Sequence, residues 1–187
     1  VPTESFGICK QQLQLIAKHW NFIEVQDLED HYEGKKKLKG RNVLLTFDDG
    51  FFSNKLVTEE ILNPLGIKAL FFVVTNFIKL DTTEEQVAFI KSNLFPEWRG
   101  HIYPKNIENM RGLSISDLKE LIKSGHTIGC HTANHLDLSS LDKNRLDYEI
   151  IESKNELEEL LGEKIKHFSF GFGNVEFFSK EALNLAK

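Results

Sequence analysis

Cysteine is scarce in this chain: only Cys9 and Cys130 occur, far apart in sequence. Two such residues make no disulfide framework, and they neither require nor exclude an oxidising compartment. Long apolar runs are missing as well. No stretch approaches the roughly 18 consecutive apolar residues of a membrane-spanning helix, so no span is expected. Basic charge is sparse. The formal net charge is −5, and the single basic run, at 35–39, is short and lies beside Gly40. It reads as a solvated turn, and an acidic chain gives no electrostatic case for nucleic acid. Internal repeats and low-complexity segments are absent. The first residues carry neither the basic nor the apolar region of a signal peptide, and both ends read as cut, because an expected helix at 178–187 runs out at Lys187 without a cap.

What is present is an ordinary globular balance over 187 residues, enough for one domain, with fifteen Phe promising a Phe-rich core. Apolar periodicity predicts helices over 5–19, 53–65, 82–94, 116–124, 141–161 and 178–187. Short runs rich in strand-forming residues predict strands over 20–25, 42–47, 68–74, 126–130 and 165–170. Strands alternating with helices imply βαβ units around a parallel sheet, either a barrel or an open doubly wound sheet. Segment 95–113 breaks the rhythm. It is long, irregular, and carries Trp98, His101 and Tyr103, so it is either a substrate-facing loop or a neutral insertion.

Two constellations carry chemistry. The apolar run 42–47 ends in Asp48 and Asp49, followed at once by Gly50. Adjacent carboxylates repel, and a metal, a cationic side chain or solvent must offset them. His131 and His135 begin where strand 126–130 ends, four residues apart, a spacing that puts both imidazoles on one cation if the segment turns like a helix. Parallel strands would bring both clusters to the same end of the sheet. Two His and one carboxylate form a three-donor site with open positions, suited to zinc or another divalent transition metal. One Asp would then be a ligand and its neighbour a base acting on bound water. Plainer readings compete: Asp-Asp-Gly as a simple turn, and the His pair as caps before the next helix.

The stretches Thr-Phe-Asp-Asp-Gly at 46–50 and His-Thr-Ala-Asn-His at 131–135, with the flanking 40–50, 66–73 and 118–132 in the same order and spacing, resemble the NodB-homology polysaccharide deacetylases, carbohydrate esterase family four. The resemblance covers nearly all of the chain from Ser5 onward. It implies an α/β fold, a distorted parallel (β/α) barrel usually of seven strands, here incomplete at the C-terminus, with one such domain over 1–187. It implies removal of acetyl groups from N- or O-acetylated sugars by a metal-dependent hydrolase. Residue by residue, Asp48 matches the catalytic base, Asp49, His131 and His135 match the metal ligands, and Thr132 matches the hydroxyl position of the second motif. The implied cofactor is a divalent metal, zinc first, with cobalt, nickel or manganese as alternatives. The implied partner is an acetylated glycan or glycolipid sugar, and a secreted, periplasmic or envelope location follows.

The chain departs from the family pattern in the third motif, which is Arg-x-Pro-aromatic-Gly. Ser169 stands where many members have the Arg that tethers the base, and Gly171 stands in place of Pro. Phe172 and Gly173 keep the pattern, making the Phe172 backbone N–H the oxyanion candidate. A Leu-x-His, whose His is the family's general acid, occurs nowhere in the 187 residues. Trp98, Tyr103, Thr132 and Ser169 are the substrate-binding candidates, with rim packing as the alternative for the two aromatics. The departures motivate a second reading, a non-catalytic sugar-binding relative that keeps fold and metal. A third, hydrolysis of cyclic amides on the same scaffold, has only fold versatility behind it.

Overall fold

The computed structural model describes residues 6–96 and 110–187, so the cap expected at Ser5 lies outside the described residues. Helix α1 (Phe6–Ala17) leads to a short strand, β1 (Asn21–Ile23). This strand is shorter than the periodicity suggests, because helix α2 (Val25–Tyr32) begins at once. The Asp27 carboxylate accepts from the Glu24 backbone N–H (3.3 Å) and pairs with Lys36, fixing the start of α2 in a stretch where no helix was expected. Strand β2 (Asn42–Phe47) has the boundaries its apolar run indicates. The helix expected over 53–65 is present as α3 (Phe52–Val57), a π turn at Thr58–Leu62, and α4 (Asn63–Leu65), stopped by Gly66 at φ +69°.

Strand β3 (Ala69–Val73) follows, then α5 (Thr83–Phe89), which continues into a π turn at Ile90–Leu94. Thr82 caps α5 and Ser114 caps α6 (Ile115–Lys123), each accepting from the N–H three residues on. Strand β4 (Thr127–Cys130) comes next. The long helix expected over 141–161 is α7 (Lys143–Asp147), a third π turn at Tyr148–Glu152, and α8 (Ser153–Leu161). Helix α9 (Lys180–Leu185) is the last described element.

The four strands are all parallel and lie in chain order, β1-β2-β3-β4. A doubly wound sheet reverses its strand order at a switch point, whereas a barrel winds in one direction. The unreversed order is barrel winding and settles the choice that periodicity left open. Register is set by apolar pairs such as Phe47 with Phe71 and Phe71 with Ile128. Phe71, Val73, Val57, Leu62, Leu118 and Leu157 lie fully or almost fully buried in one cluster between sheet and helices. Phe47 stacks on Phe71 with ring centroids 5.0 Å apart, so the Phe-rich core is real.

The strand expected over 165–170 is reduced to a single bridge, Phe168 beside Cys130. Cys130 N–H donates to His167 O (2.9 Å) and Ser169 N–H donates to Cys130 O (3.0 Å). The ladder then stops, because the Ser169 carbonyl turns to the His131 ring and the chain enters left-handed backbone at Phe172 and Gly173. Close approach of this segment depends on Gly129. A Cβ there would stand 2.6 Å from Phe72 Cδ1 and 3.0 Å from His167 O. Gly129→Ala is therefore expected to destabilise the fold by about 1–3 kcal/mol through overpacking, read as a lower urea midpoint at unchanged slope. An unchanged midpoint would contradict this packing.

Candidate metal centre

The parallel register places three strand ends side by side. His131 N–H donates to Val73 O (2.9 Å), Val74 N–H to Asp49 O (3.4 Å) and Thr75 N–H to Thr132 O (3.1 Å), carrying the sheet pairing into the loops beyond β2, β3 and β4. Asp49 and the two histidines thereby meet at one end of the sheet. Asp49 Oδ1 is 3.7 Å from His131 Nε2 and 3.6 Å from His135 Nε2. These separations exceed a hydrogen bond, so the three groups converge without satisfying one another. The side chains are nonetheless largely out of water, 18% exposed for Asp49, 2% for His131 and 8% for His135. All three donor atoms lie within 4.8 Å of one another, a spacing that one first-row cation spans with N and O ligands about 2.0–2.2 Å away. The donor set therefore fits a divalent metal.

The imidazoles are oriented by backbone carbonyls. His131 Nδ1 lies 2.8 Å from Ser169 O and His135 Nδ1 lies 3.2 Å from Asn93 O. A carbonyl only accepts, so each Nδ1 carries the proton and each Nε2 presents a lone pair to Asp49's side of the site. Burial, and for His131 the neighbouring His135, holds both imidazoles below their ordinary pKa, keeping them neutral. Burial pushes Asp49 up to about 6, with His131 opposing and Asp48 adding to the rise.

The loops that deliver these groups are strained. Asp49, Thr132, His135 and Phe172 are the non-glycine residues with positive φ among the described residues, and all four belong to this site. Such backbone costs of order 1–3 kcal/mol per residue unless its surroundings impose it. The segment 131–135 is thus not a helical turn, the condition under which the His spacing would place both rings on one cation. It is an irregular loop with two left-handed residues, and it brings the rings together, centroids 5.0 Å apart, by a different path. Gly50, at φ +84°, serves the turn as its position suggested, and a Cβ there would stand 3.1 Å from Val73.

The remaining candidates fall in different places. Asp48 is exposed at the mouth, its carbonyl accepting from Gly50 N–H (2.9 Å) and Asn54 Nδ2 (3.4 Å). Phe172 lays its ring 4.6 Å from that of His135, and its N–H has no hydrogen bond among the described residues. Gly171, where the family pattern has Pro, admits this contact, since a Cβ would press on the His135 ring at 3.3 Å. Thr132 is fully buried, and its hydroxyl oxygen accepts from His135 N–H (2.7 Å), so it faces the loop's own backbone rather than a substrate. The part of Ser169 seen to reach the site is its carbonyl. Trp98 and Tyr103 lie outside the described residues.

Sequence reasoning missed Asn93, Asn134 and Glu149. Asn93 supplies the His135 acceptor, and Glu149, 2% exposed, accepts from the Asn134 N–H (2.8 Å) and Nδ2 (2.6 Å). The only hint was a charged residue at a buried helical position, invisible before the π turn was known.

The sequence profile of the polysaccharide deacetylases matches residues 35–187, and the chain belongs to that family. YxkH of Bacillus subtilis (strain 168), assigned by its name to the polysaccharide deacetylases, is 24% identical over 152 residues, 81% of this chain and 43% of YxkH. The chain thus spans less than half the length of that curated relative. Among solved structures, the Streptococcus pyogenes deacetylase PplD, determined in complex with acetate, matches with a TM-score of 0.72 at 20% identity, over 100% of this chain and 73% of that one. IcaB from Ammonifex degensii matches with a TM-score of 0.71 at 23% identity, over 96% and 70%. At such identities the likeness establishes the fold, in agreement with the one-way winding of β1 to β4.

The Asp49 environment makes a signed prediction. Its folded pKa stands above the ordinary 3.8, so its contribution favours the folded state at low pH and is lost as pH rises through about 6. Asp49→Asn is expected to stabilise the chelator-treated protein at pH 8 by about 3 kcal/mol, to lose that gain progressively as pH falls from about 6 to the ordinary 3.8, and to bind divalent metal far more weakly. Denaturation across pH, with metal titration alongside, tests both halves. A variant no more stable at pH 8 would refute the buried-charge account.

Proposed function

We propose that the protein is a metal-dependent hydrolase that removes acetyl groups from N-acetylated or O-acetylated sugars of a polysaccharide or glycolipid. The observation that carries this reading is the convergence of Asp49, His131 and His135 at one end of the sheet, with the second carboxylate, Asp48, exposed beside them. A divalent cation held by those three residues, zinc first with cobalt, nickel or manganese as alternatives, would supply Lewis acidity that acidifies water and polarises the acetyl carbonyl. The residues of the chain do the rest. Asp48 takes the proton from the attacking water. The Phe172 N–H, aimed by its left-handed backbone, donates to the oxygen that gains charge as the carbonyl carbon becomes tetrahedral. The proton held by Asp48 is then available to the departing amine or alcohol, and acetate leaves. The Nδ1 bonds of both histidines keep the ligand lone pairs aimed while charge shifts across the site.

A sugar polymer or glycolipid substrate fits secretion, the periplasm or the cell envelope. No described helix is long and apolar enough to cross a membrane. One observation favours a second reading, a sugar-binding relative without catalysis: with Ser169 in the Arg position of the family pattern, no cationic side chain pairs with Asp48 among the described residues. Acetate release separates the two. The metal-loaded protein should liberate acetate from N-acetylglucosamine oligomers or another acetylated glycan. Asp48→Asn should retain metal and lose about 10²- to 10⁴-fold in kcat. Bound metal with no acetate release from any acetylated sugar would favour the binding reading.

A further inference from the structure

We propose that Glu149 is a positioning residue for the His135 arm of the metal centre, acting through Asn134. This inference rests on the metal reading above and extends it to a buried carboxylate outside the donor set. Glu149 sits on the π turn between α7 and α8. There Ser153 N–H donates to Tyr148 O, five residues back, where a regular helix would use Glu149 O. The released Glu149 carbonyl accepts from Ala133 N–H (3.1 Å) and from Ser153 Oγ (2.6 Å). The Glu149 carboxylate simultaneously takes both donors of Asn134, its backbone N–H at 2.8 Å and its Nδ2 at 2.6 Å. One residue therefore holds two consecutive amides of the loop that carries both histidines.

The connections close around His135. Asn134 Oδ1 accepts from Asn76 Nδ2 (2.7 Å), and Asn134 O accepts from Asn93 Nδ2 (2.8 Å). Asn93 lies on the π turn after α5, and its carbonyl accepts from His135 Nδ1. Thus two π turns grip the loop from two helices, and the grip ends on the imidazole itself. A buried carboxylate needs donors for its oxygens, and among the described residues the donors to this one belong to a single loop residue. A carboxylate is acceptor-only and matches two N–H donors. A glutamine of the same shape matches one and sets its own NH₂ against the other. The loop's two left-handed residues, Thr132 and His135, need such external hold.

The test is metal affinity and the visible spectrum of the cobalt-loaded protein, compared among the unaltered chain, Glu149→Gln, the exchanged pair Glu149→Gln with Asn134→Asp, and Asp117→Asn. Asp117 is another buried carboxylate, accepting from Lys55 Nζ and from the N–H and hydroxyl of the α6 cap residue Ser114 rather than from the loop. Glu149→Gln is expected to weaken Zn²⁺ and Co²⁺ binding by about 10- to 100-fold and to alter the cobalt spectrum. The exchanged pair, which restores donor to acceptor, should recover most of the affinity, and Asp117→Asn should match the unaltered chain. Unchanged affinity in Glu149→Gln overturns the proposal, as does an equal loss in Asp117→Asn, which would mark general loosening. Should Glu149→Gln alone fail to fold, a folded exchanged pair with no recovered affinity also overturns it. If the unaltered chain binds no divalent metal, the metal reading falls and takes this proposal with it, whereas metal binding indifferent to Glu149 removes only the proposal.

Discussion

A carboxylate and two imidazoles are held nearly out of water, within reach of one cation and beyond hydrogen-bonding distance of each other. Left alone, such an arrangement is unfavourable, because burial penalises the charge on Asp49 more than the neighbouring His131 offsets it. Most of the structure around the strand ends makes sense as what keeps these three groups in place. The parallel ladder fixes the Cα positions, backbone carbonyls fix the ring orientations, and buried amides and carboxylates fix the loop that joins the histidines.

That support is specific in a physical sense. Among the described residues, the four non-glycine positions with left-handed backbone all lie in the loops of the site. Two of the three π turns among the described residues bond the 131–135 loop, Asn93 through its side chain and carbonyl and Glu149 through its carboxylate and a carbonyl that a regular helix would use itself. Strain and irregularity are concentrated where donor geometry matters, while the sheet and the apolar cluster around Phe71 remain regular. Stability is spent locally to shape a site, and the core that carries the cost lies directly beneath it.

Much of the fold was legible beforehand. Strand β2 was found at its observed limits, and β3, β4 and the helices after β2, β3 and β4 were found within a residue or two, because buried strands and amphipathic helices differ in period and caps mark helix starts. Helix α2 escaped because its eight residues are mostly polar, and its beginning rests on an acidic capping residue, Asp27, rather than on an apolar stripe. The fifth strand was overread because 165–170 is apolar enough for a ladder, yet its carbonyl at Ser169 is drawn to His131.

The sequence by itself determined the donor chemistry and its placement. Carboxylates and imidazoles stand just past apolar strands, and parallel strands carry such positions to a common end. Only the tertiary structure decided how they meet. The His spacing would put both rings on one cation through a helical turn, and instead the pair converges through left-handed backbone held, by way of Asn134 in the same loop, by Glu149 and Asn93 from two other segments. Spacing along a chain encodes local geometry, and hydrogen bonds between distant segments override it. Which tautomer each imidazole adopts, and which buried carboxylate hydrogen-bonds the loop, follow from partners more than ten residues away, and no local pattern carries that information.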